Sequence, residues 1–408
     1  MPVHLLSSEH RSEFLATPSL VRMAMVRGTE GQREPTLLIK AESPLLRYLM
    51  VSGDLDLVAI RASDNSAVFA VNMKDDPQDP GMNWSYVESD DELLALKLAL
   101  AGGRCEVFLF NEAAVSVAHA AFRFRVKSGD ITEFIRMIEI VDGGYGEDRR
   151  AVARNALNMW REGRAGSKVA INATGETVAA WTENDVFHAR NVGGLSKLNI
   201  FSGNEGSEQE QLAVWLVDNL HPAGVIHSPQ VEEGGRSREL TDLLLAYERG
   251  CFFIESKALQ ILGRPTLPDR KRLSRDLAKH VEKATKQLAG AVRSARRGLP
   301  VSDESGRGVE VSVDQPPHLI VLVPDLSLLS GATQFGSSFF AQFSEKNRAF
   351  FHILDPTELL RVVQAAEMIA KAGREPVTKM EAFDFYLMKR AERSMGVSDP
   401  CFHILFRS

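Results

Sequence analysis

Cysteine is scarce in this chain: Cys105, Cys251 and Cys401 are the only three in 408 residues. None is spaced as C-x-x-C, which excludes a zinc ribbon, a thioredoxin-like redox pair and a disulfide framework. Cys251 lies in an apolar run and reads as a buried thiol, so a reducing cytoplasm is the expected compartment. Long apolar runs are absent too. Nothing approaches the ~18 residues of a membrane span, so no membrane partner is expected. Met1-Pro-Val-His-Leu-Leu-Ser-Ser has no basic segment followed by an apolar core, and no secretory signal is expected. Repeats and low-complexity tracts are missing. Two glycine-rich spots lack the context of a phosphate loop. Gly143-Gly144-Tyr145-Gly146 lies between helical patterns, and Gly166-Ser167-Lys168 has the wrong order for a P-loop. Serines and histidines show no triad pattern, and the first half of the chain carries no expected catalytic role.

What is present is ordinary globular protein, 44% hydrophobic and 25% charged, of a length that suits two domains. The expectation is an α+β domain over residues 1–190 and a second domain over 200–408. The change falls in turn-rich text between Gly163 and Gly206, including Asn172-Ala-Thr-Gly-Glu and Asn191-Val-Gly-Gly. Residues 1–34 show no clear period. Leu45–Val51, Leu55–Ile60 and Ala67–Asn72 read as strands, as do Cys105–Phe110 and the stretch near Ala121–Val126. Asp90–Ala101, Ile131–Val141 and Glu147–Glu162 read as helices.

The second half contains a hairpin of unusual character. Leu243-Leu244-Leu245 and Cys251-Phe252-Phe253-Ile254 flank a turn at Tyr247-Glu248-Arg249-Gly250. Short apolar runs bounded by turn residues read as buried strands. A pairing centred between Glu248 and Arg249 sets Asp242 opposite Glu255. Side chains alternate faces along a strand, so Glu255 and Lys257 share a face that Asp242 joins across the ladder. Two carboxylates and an ammonium are thus expected together at the end of a hydrophobic hairpin. Burial of such charges is costly unless they pair or hold a metal.

Asp242 and Glu255-Ser256-Lys257 together resemble the signature of the PD-(D/E)xK nuclease superfamily, over roughly residues 205–360. Thr241 stands where that signature often has proline. The resemblance implies a restriction-endonuclease-like α/β core, a mixed central sheet flanked by helices, preceded by the α+β N-terminal domain. It further implies a nuclease hydrolysing phosphodiester bonds, with nucleic acid as partner and DNA favoured over RNA. Mg²⁺ or Mn²⁺ would be held by Asp242 and Glu255, with Lys257 acting on the attacking water or the phosphorus. An acid on the preceding helix would complete the metal site: Glu208 is the candidate and Glu205 the reserve. Glu210 is assigned instead to a capping box with Ser207 as N-cap. Restriction, repair or defence is the setting implied. The alternative is a nuclease-like nucleic-acid-binding or assembly protein without catalysis, and the N-terminal domain could carry a partner protein or a second copy.

The segment 264–297 supports a nucleic-acid partner. It carries eleven Lys or Arg against three acids, a net +8 that leaves −14 for the remainder of a chain whose total is −6. A local basic patch on an acidic protein suits a directed phosphate contact. Leu277, Val281, Ala284, Leu288, Val292 and Ala295 form one apolar helical stripe. Lys279, Lys283 and Gln287 are read as an adjacent face. The family places a polar residue beside the active site on this helix, and Lys283 and Gln287 match it. Lys286, Arg293 and Arg297 are read as a separate line facing phosphates. His318–Val323 and Phe350–Leu354 read as further strands. Asp355-Pro356-Thr357-Glu358 reads as a helix start, and Met380–Arg393 as a final helix.

Overall fold

In the computed structural model the described residues are 6–27, 31–76, 80–140, 147–166, 168–192, 194–264, 266–372 and 377–396. Gly143–Gly146, Ser167 and Cys401 lie outside them, so the readings made on those positions have no structural counterpart. The protein is mixed α/β, with mixed sheets and flanking helices. It divides into two compact units, Met1–Asn184 and Asp185–Ser408. Among the described residues no helix is long and apolar enough to cross a membrane.

The first unit runs α1 (Ser8–Ala16), β1 (Leu20–Arg27), β2 (Arg33–Lys40), α2 (Ser43–Ser52), β3 (Leu55–Arg61), β4 (Ala67–Met73) and β5 (Gly81–Tyr86). It continues with α3 (Asp90–Leu100), β6 (Arg104–Phe110), β7 (Ser116–Ser128), α4 (Ile131–Arg136), α5 (Glu147–Arg161) and β8 (Ala170–Glu183). Its described strands form one sheet in the order β1-β2-β6-β7-β8-β3-β4-β5. Only β2 and β6 pair in parallel. The sheet curls until its edges meet: Arg22 of β1 donates to the Tyr86 carbonyl at the end of β5, 3.2 Å away. Arg22 is 2% exposed and pairs with Glu13, Glu88 and Glu92.

Several expectations fail in this unit. Leu45–Val51 is helical, not a strand. Pro44 stands in the first turn, and both Glu112 carboxylate oxygens cap the start through Ser43 N (2.7 Å) and Ser43 Oγ (2.8 Å). Gly53 closes α2 at φ 67°, a left-handed geometry that favours glycine. Asn172–Glu176 is not a turn but the middle of β8. A Cβ on Gly175 would meet the Leu55 carbonyl oxygen at 2.7 Å, so glycine serves close approach between strands. The helix from Ile131 ends at Arg136 rather than Val141. Residues 1–34, which show no period, contribute α1, β1 and the start of β2.

The second unit opens with β9 (Val186–Ala189), β10 (Leu195–Leu198), α6 (Glu205–Val217), β11 (Ile226–His227), β12 (Gln230–Glu233), β13 (Arg236–Glu239), β14 (Leu243–Tyr247) and β15 (Gly250–Ser256). Then come α7 (Arg270–Arg296), β16 (Val301–Ser302), β17 (Gly308–Val309), β18 (His318–Leu322), α8 (Ser337–Asn347), β19 (Phe350–Leu354), α9 (Pro356–Ala372) and α10 (Lys379–Ser394). The central sheet has the order β11-β14-β15-β18-β19. Its first three strands pair antiparallel and its last three parallel. The α7 stripe from Leu277 to Val292 packs on Leu244, Cys251, Phe253, Leu319 and Val321, which share one face of this sheet. On the opposite face, α10 brings Phe383 against Phe252, ring centroids 5.3 Å apart. Two smaller sheets, β10-β9 and β13-β12-β16-β17, complete the unit.

Candidate active site

The hairpin register is Leu243↔Ile254 through Tyr247↔Gly250, with the two residues Glu248 and Arg249 as the turn. Continued one step, this register sets Asp242 opposite Glu255. Asp242 immediately precedes β14, and Lys257 immediately follows β15. The Lys257 amide donates to the Leu322 carbonyl at 2.9 Å and extends the ladder with β18 beyond the last strand residue. Thr241 donates its hydroxyl to the Ile254 carbonyl at 2.8 Å, and the Ser228 amide donates to the Asp242 carbonyl at 2.8 Å. Main chain and side chains therefore fix the base of the site from both sides.

The three charges meet as the register requires. Lys257 Nζ lies 2.8 Å from Glu255 Oε2 and 3.4 Å from Asp242 Oδ2. The Ser256 amide donates to Asp242 Oδ2 at 2.6 Å. Glu255 is 1% exposed and Asp242 9%. Burial pushes the Glu255 carboxyl up to about 7, and the adjacent Asp242 pushes the same way against Lys257. Burial likewise raises Asp242, with Glu210 and Glu239 adding to it and Lys257 and the Ser256 amide opposing. For Lys257, burial pulls the ammonium down, but the Asp242 and Glu255 carboxylates more than offset it and hold it above its ordinary value. One ammonium thus faces two carboxylates, with two further acids near enough to be felt. The cluster is short of positive charge.

The acids on α6 are arranged differently from expectation. Asn204, not Ser207, is the N-cap, its side chain accepting from the Ser207 amide. The helix starts three residues earlier than the capping-box reading requires. Glu210 does not cap; it accepts from His227 Nε2 at 3.0 Å, while His227 Nδ1 meets Glu304 at 3.0 Å. Through His227, cross-strand partner of Leu243, Glu210 is held toward Asp242. Glu208 instead accepts from the Asn199 amide at 2.5 Å, and Glu205 from the Leu262 amide at 2.6 Å. Glu210 is among the charges that act on Asp242.

On α7, the period of 3.6 residues brings Lys279, Lys283, Lys286, Arg293 and Arg297 onto one exposed stripe rather than two separate lines. The stripe is opposite the apolar one. Arg297 is tied to Glu233 at 2.5 Å. Gln287 is exposed and lies on the same flank as His280, two turns away. His280 was missed by sequence reasoning. Burial holds its imidazole below the ordinary value, the Ala258 backbone opposes this, and Lys257 is among the charges it feels. Its Nδ1 is buried without a partner among the described residues. The signal available was its spacing of three and seven from Lys283 and Gln287. Gln209 was also missed: it donates to the Leu322 carbonyl at 3.0 Å, the oxygen that anchors Lys257.

The donor chemistry of the cluster bears on a divalent cation. Among the described residues no three His, Cys, Asp or Glu side chains converge as a metal-ligand group. The set is two carboxylates, and Asp242 Oδ1 and Glu255 Oε1 take no hydrogen bond from the described residues. Mg²⁺ takes this kind of set: one or two carboxylates, with water and substrate phosphate filling the other positions. The surplus of negative charge fits a cation as well. Zinc, which favours His and Cys, finds neither in the cluster.

Comparison with protein-family models, with curated proteins and with solved structures finds no match to this chain.

Proposed function

We propose that residues 185–408 form a restriction-endonuclease-like domain and that the protein is a metal-dependent nuclease, with DNA favoured over RNA. One observation carries this reading: Asp242, Glu255 and Lys257 converge at the end of a buried hairpin, in the register the sequence specifies. The element order supports it: a helix with acids in its first turns, the hairpin, a long basic helix, then a parallel strand. Asp242 and Glu255 would hold Mg²⁺ or Mn²⁺. Such an ion supplies charge to a developing phosphoryl transition state and acidifies a bound water. Lys257, kept protonated by its two neighbours, offers a hydrogen-bond donor to a phosphoryl oxygen or to the water. The exposed stripe on α7 offers cations to the phosphate backbone, and Gln287 with His280 forms the polar flank between that stripe and Lys257. Restriction, repair or defence is the setting we favour, in a reducing compartment that suits the buried free thiols Cys105 and Cys251. The first unit then serves substrate choice, a partner or self-association.

The test is Asp242→Asn. Titrated with Mn²⁺ in a calorimeter, the variant loses at least about tenfold in affinity and loses cleavage, because one carboxylate of two is gone. Its melting temperature holds or rises, since a buried charge with a raised pKa is removed while the Ser256 amide keeps an acceptor. Undiminished Mn²⁺ affinity in the variant would overturn the assignment. Metal binding without cleavage of any nucleic acid in the wild type would favour a binding or assembly protein on the same scaffold.

A further inference from the structure

The other end of the same hairpin carries a second cluster, unconnected with the chemistry proposed above. Tyr247 donates its hydroxyl to Asp384 Oδ2 at 2.5 Å, and His318 Nε2 meets Asp384 Oδ1 at 2.6 Å. His318 Nδ1 meets His352 Nε2 at 3.0 Å. His318 is 2% exposed and His352 fully buried. Burial keeps both imidazoles below their ordinary value. A neutral His318 that donates from Nε2 must accept at Nδ1, so His352 donates from Nε2 and leaves its own Nδ1 bare. That nitrogen is buried without a partner among the described residues. The relay therefore holds a single formal charge, on Asp384. Burial pushes the Asp384 carboxyl up, but His318 and Tyr247 more than offset it and keep it ionised.

This carboxylate opens onto a cavity of about 650 Å³, the size of a small-ligand pocket. Phe252, His318 and Phe350 lie abreast on three neighbouring strands. The His318 ring stacks on Phe252 at 4.7 Å and on Phe350 at 4.9 Å, a row of rings packed face to face beneath the cavity that holds His318 in place. Asp384 side-chain exposure is 37%, and each of its oxygens has a lone pair left after the Tyr247 and His318 bonds. Glu248 and Asp314, both exposed, add negative charge at the rim. The one cation in the lining, Arg249, is paired with Glu381 at 3.0 Å. Among the described residues no lysine or arginine pairs with Asp384. The length of β15 separates this cavity from Lys257: seven residues, roughly 20 Å at the rise of a strand.

We infer that this cavity is a binding site for a small organic cation, an ammonium or amidinium on an aromatic or apolar stem, with Asp384 as its counter-ion. Tyr247 and His318 fix the carboxylate, and the apolar lining at Phe350 and Met388 takes the stem. A phosphorylated or carboxylated ligand is repelled by the three acids.

The experiment titrates full-length protein calorimetrically with benzamidine, and with benzoate and benzyl alcohol as anionic and neutral counterparts of the same size. Benzamidine binds with a Kd below about 1 mM, at least about tenfold more tightly than either counterpart. Asp384→Asn lowers that affinity at least about tenfold. Should Asp384→Asn fail to fold, the double variant Glu248→Gln, Asp314→Asn alters only exposed groups and lowers benzamidine affinity about two- to fivefold. Absence of benzamidine binding, equal binding of benzoate, or undiminished affinity in whichever of the two variants folds would each overturn the inference.

Discussion

Lys257 is the residue on which the site balances. Among the described residues it is the only cation paired with the two buried carboxylates, and removing it leaves them facing one another. Lys257→Ala is expected to lower turnover at least about 100-fold while nucleic-acid binding persists. The same variant should melt lower without metal and recover more with Mn²⁺ than the wild type does, because the ion takes over charge neutralisation. A matched pair of melts, with and without Mn²⁺, checks this; equal metal-induced shifts in the two proteins would count against it. Glu92 in the first unit offers a separate test of buried charge. Burial pushes its carboxyl up to about 7, with Arg22 opposing. The native state therefore holds a proton that the unfolded chain releases near 4.5, so this group's contribution to stability falls as pH rises from about 4.5 to 7 and is constant outside that window. Glu92→Gln should flatten the decline by an amount on the order of 1–3 kcal/mol. Urea midpoints at pH 5 and pH 7.5 measure it; an unchanged pH difference in the variant would refute it.

At the scale of elements, α7 presents cations along one side and packs an unbroken apolar stripe along the other. Changing Lys283, Lys286 and Arg293 to Ala should weaken DNA binding across sequences and reduce the slope of log K against log salt by about 2–3, close to 0.9 per lost phosphate contact. Arg297→Ala should do less, since Glu233 already holds that guanidinium. Filter binding across a salt series decides; an unchanged slope in the triple variant would mean the stripe does not meet substrate. The elements read most readily from the sequence were those whose burial dictates their composition. The β14–β15 hairpin and α7 bury whole faces, so their apolar periods are unbroken. Others were hidden for stated reasons. Most of β8 is solvated and carries no apolar alternation. In β1 and β2, Arg22 and Lys40 occupy buried positions that a hydrophobic pattern would fill. Helix α2 is apolar enough to imitate a strand, and the residue that caps it, Glu112, is remote in sequence. On α6, starting the helix at Asn204 rather than Ser207 turns Glu210 from a cap into a partner of His227. His280 is marked in the sequence only by its helical spacing from Lys283 and Gln287, because what ties it to the cluster, the Ala258 backbone and the Lys257 charge, is tertiary.

At the scale of the whole molecule, an acidic chain gathers a net +8 into the segment 264–297, which contains α7, whose His280 feels the charge of Lys257. That distribution suits a protein that approaches a polyanion in one orientation. Among the described residues the first unit supplies no cluster of acids and lysine comparable to Asp242, Glu255 and Lys257; the buried charges around Arg22 and at Glu112 serve to close the sheet and cap a helix. Chemistry is therefore assigned to the second unit. The central claim is metal-dependent phosphodiester cleavage at that cluster. The most direct measurement is cleavage by the intact chain of supercoiled, linear and single-stranded DNA, and of RNA, in Mn²⁺ or Mg²⁺ and again in EDTA. The account predicts strand scission of at least one DNA substrate in metal and none in EDTA. Full cleavage in EDTA, or no cleavage of any of these substrates in either metal, would contradict it.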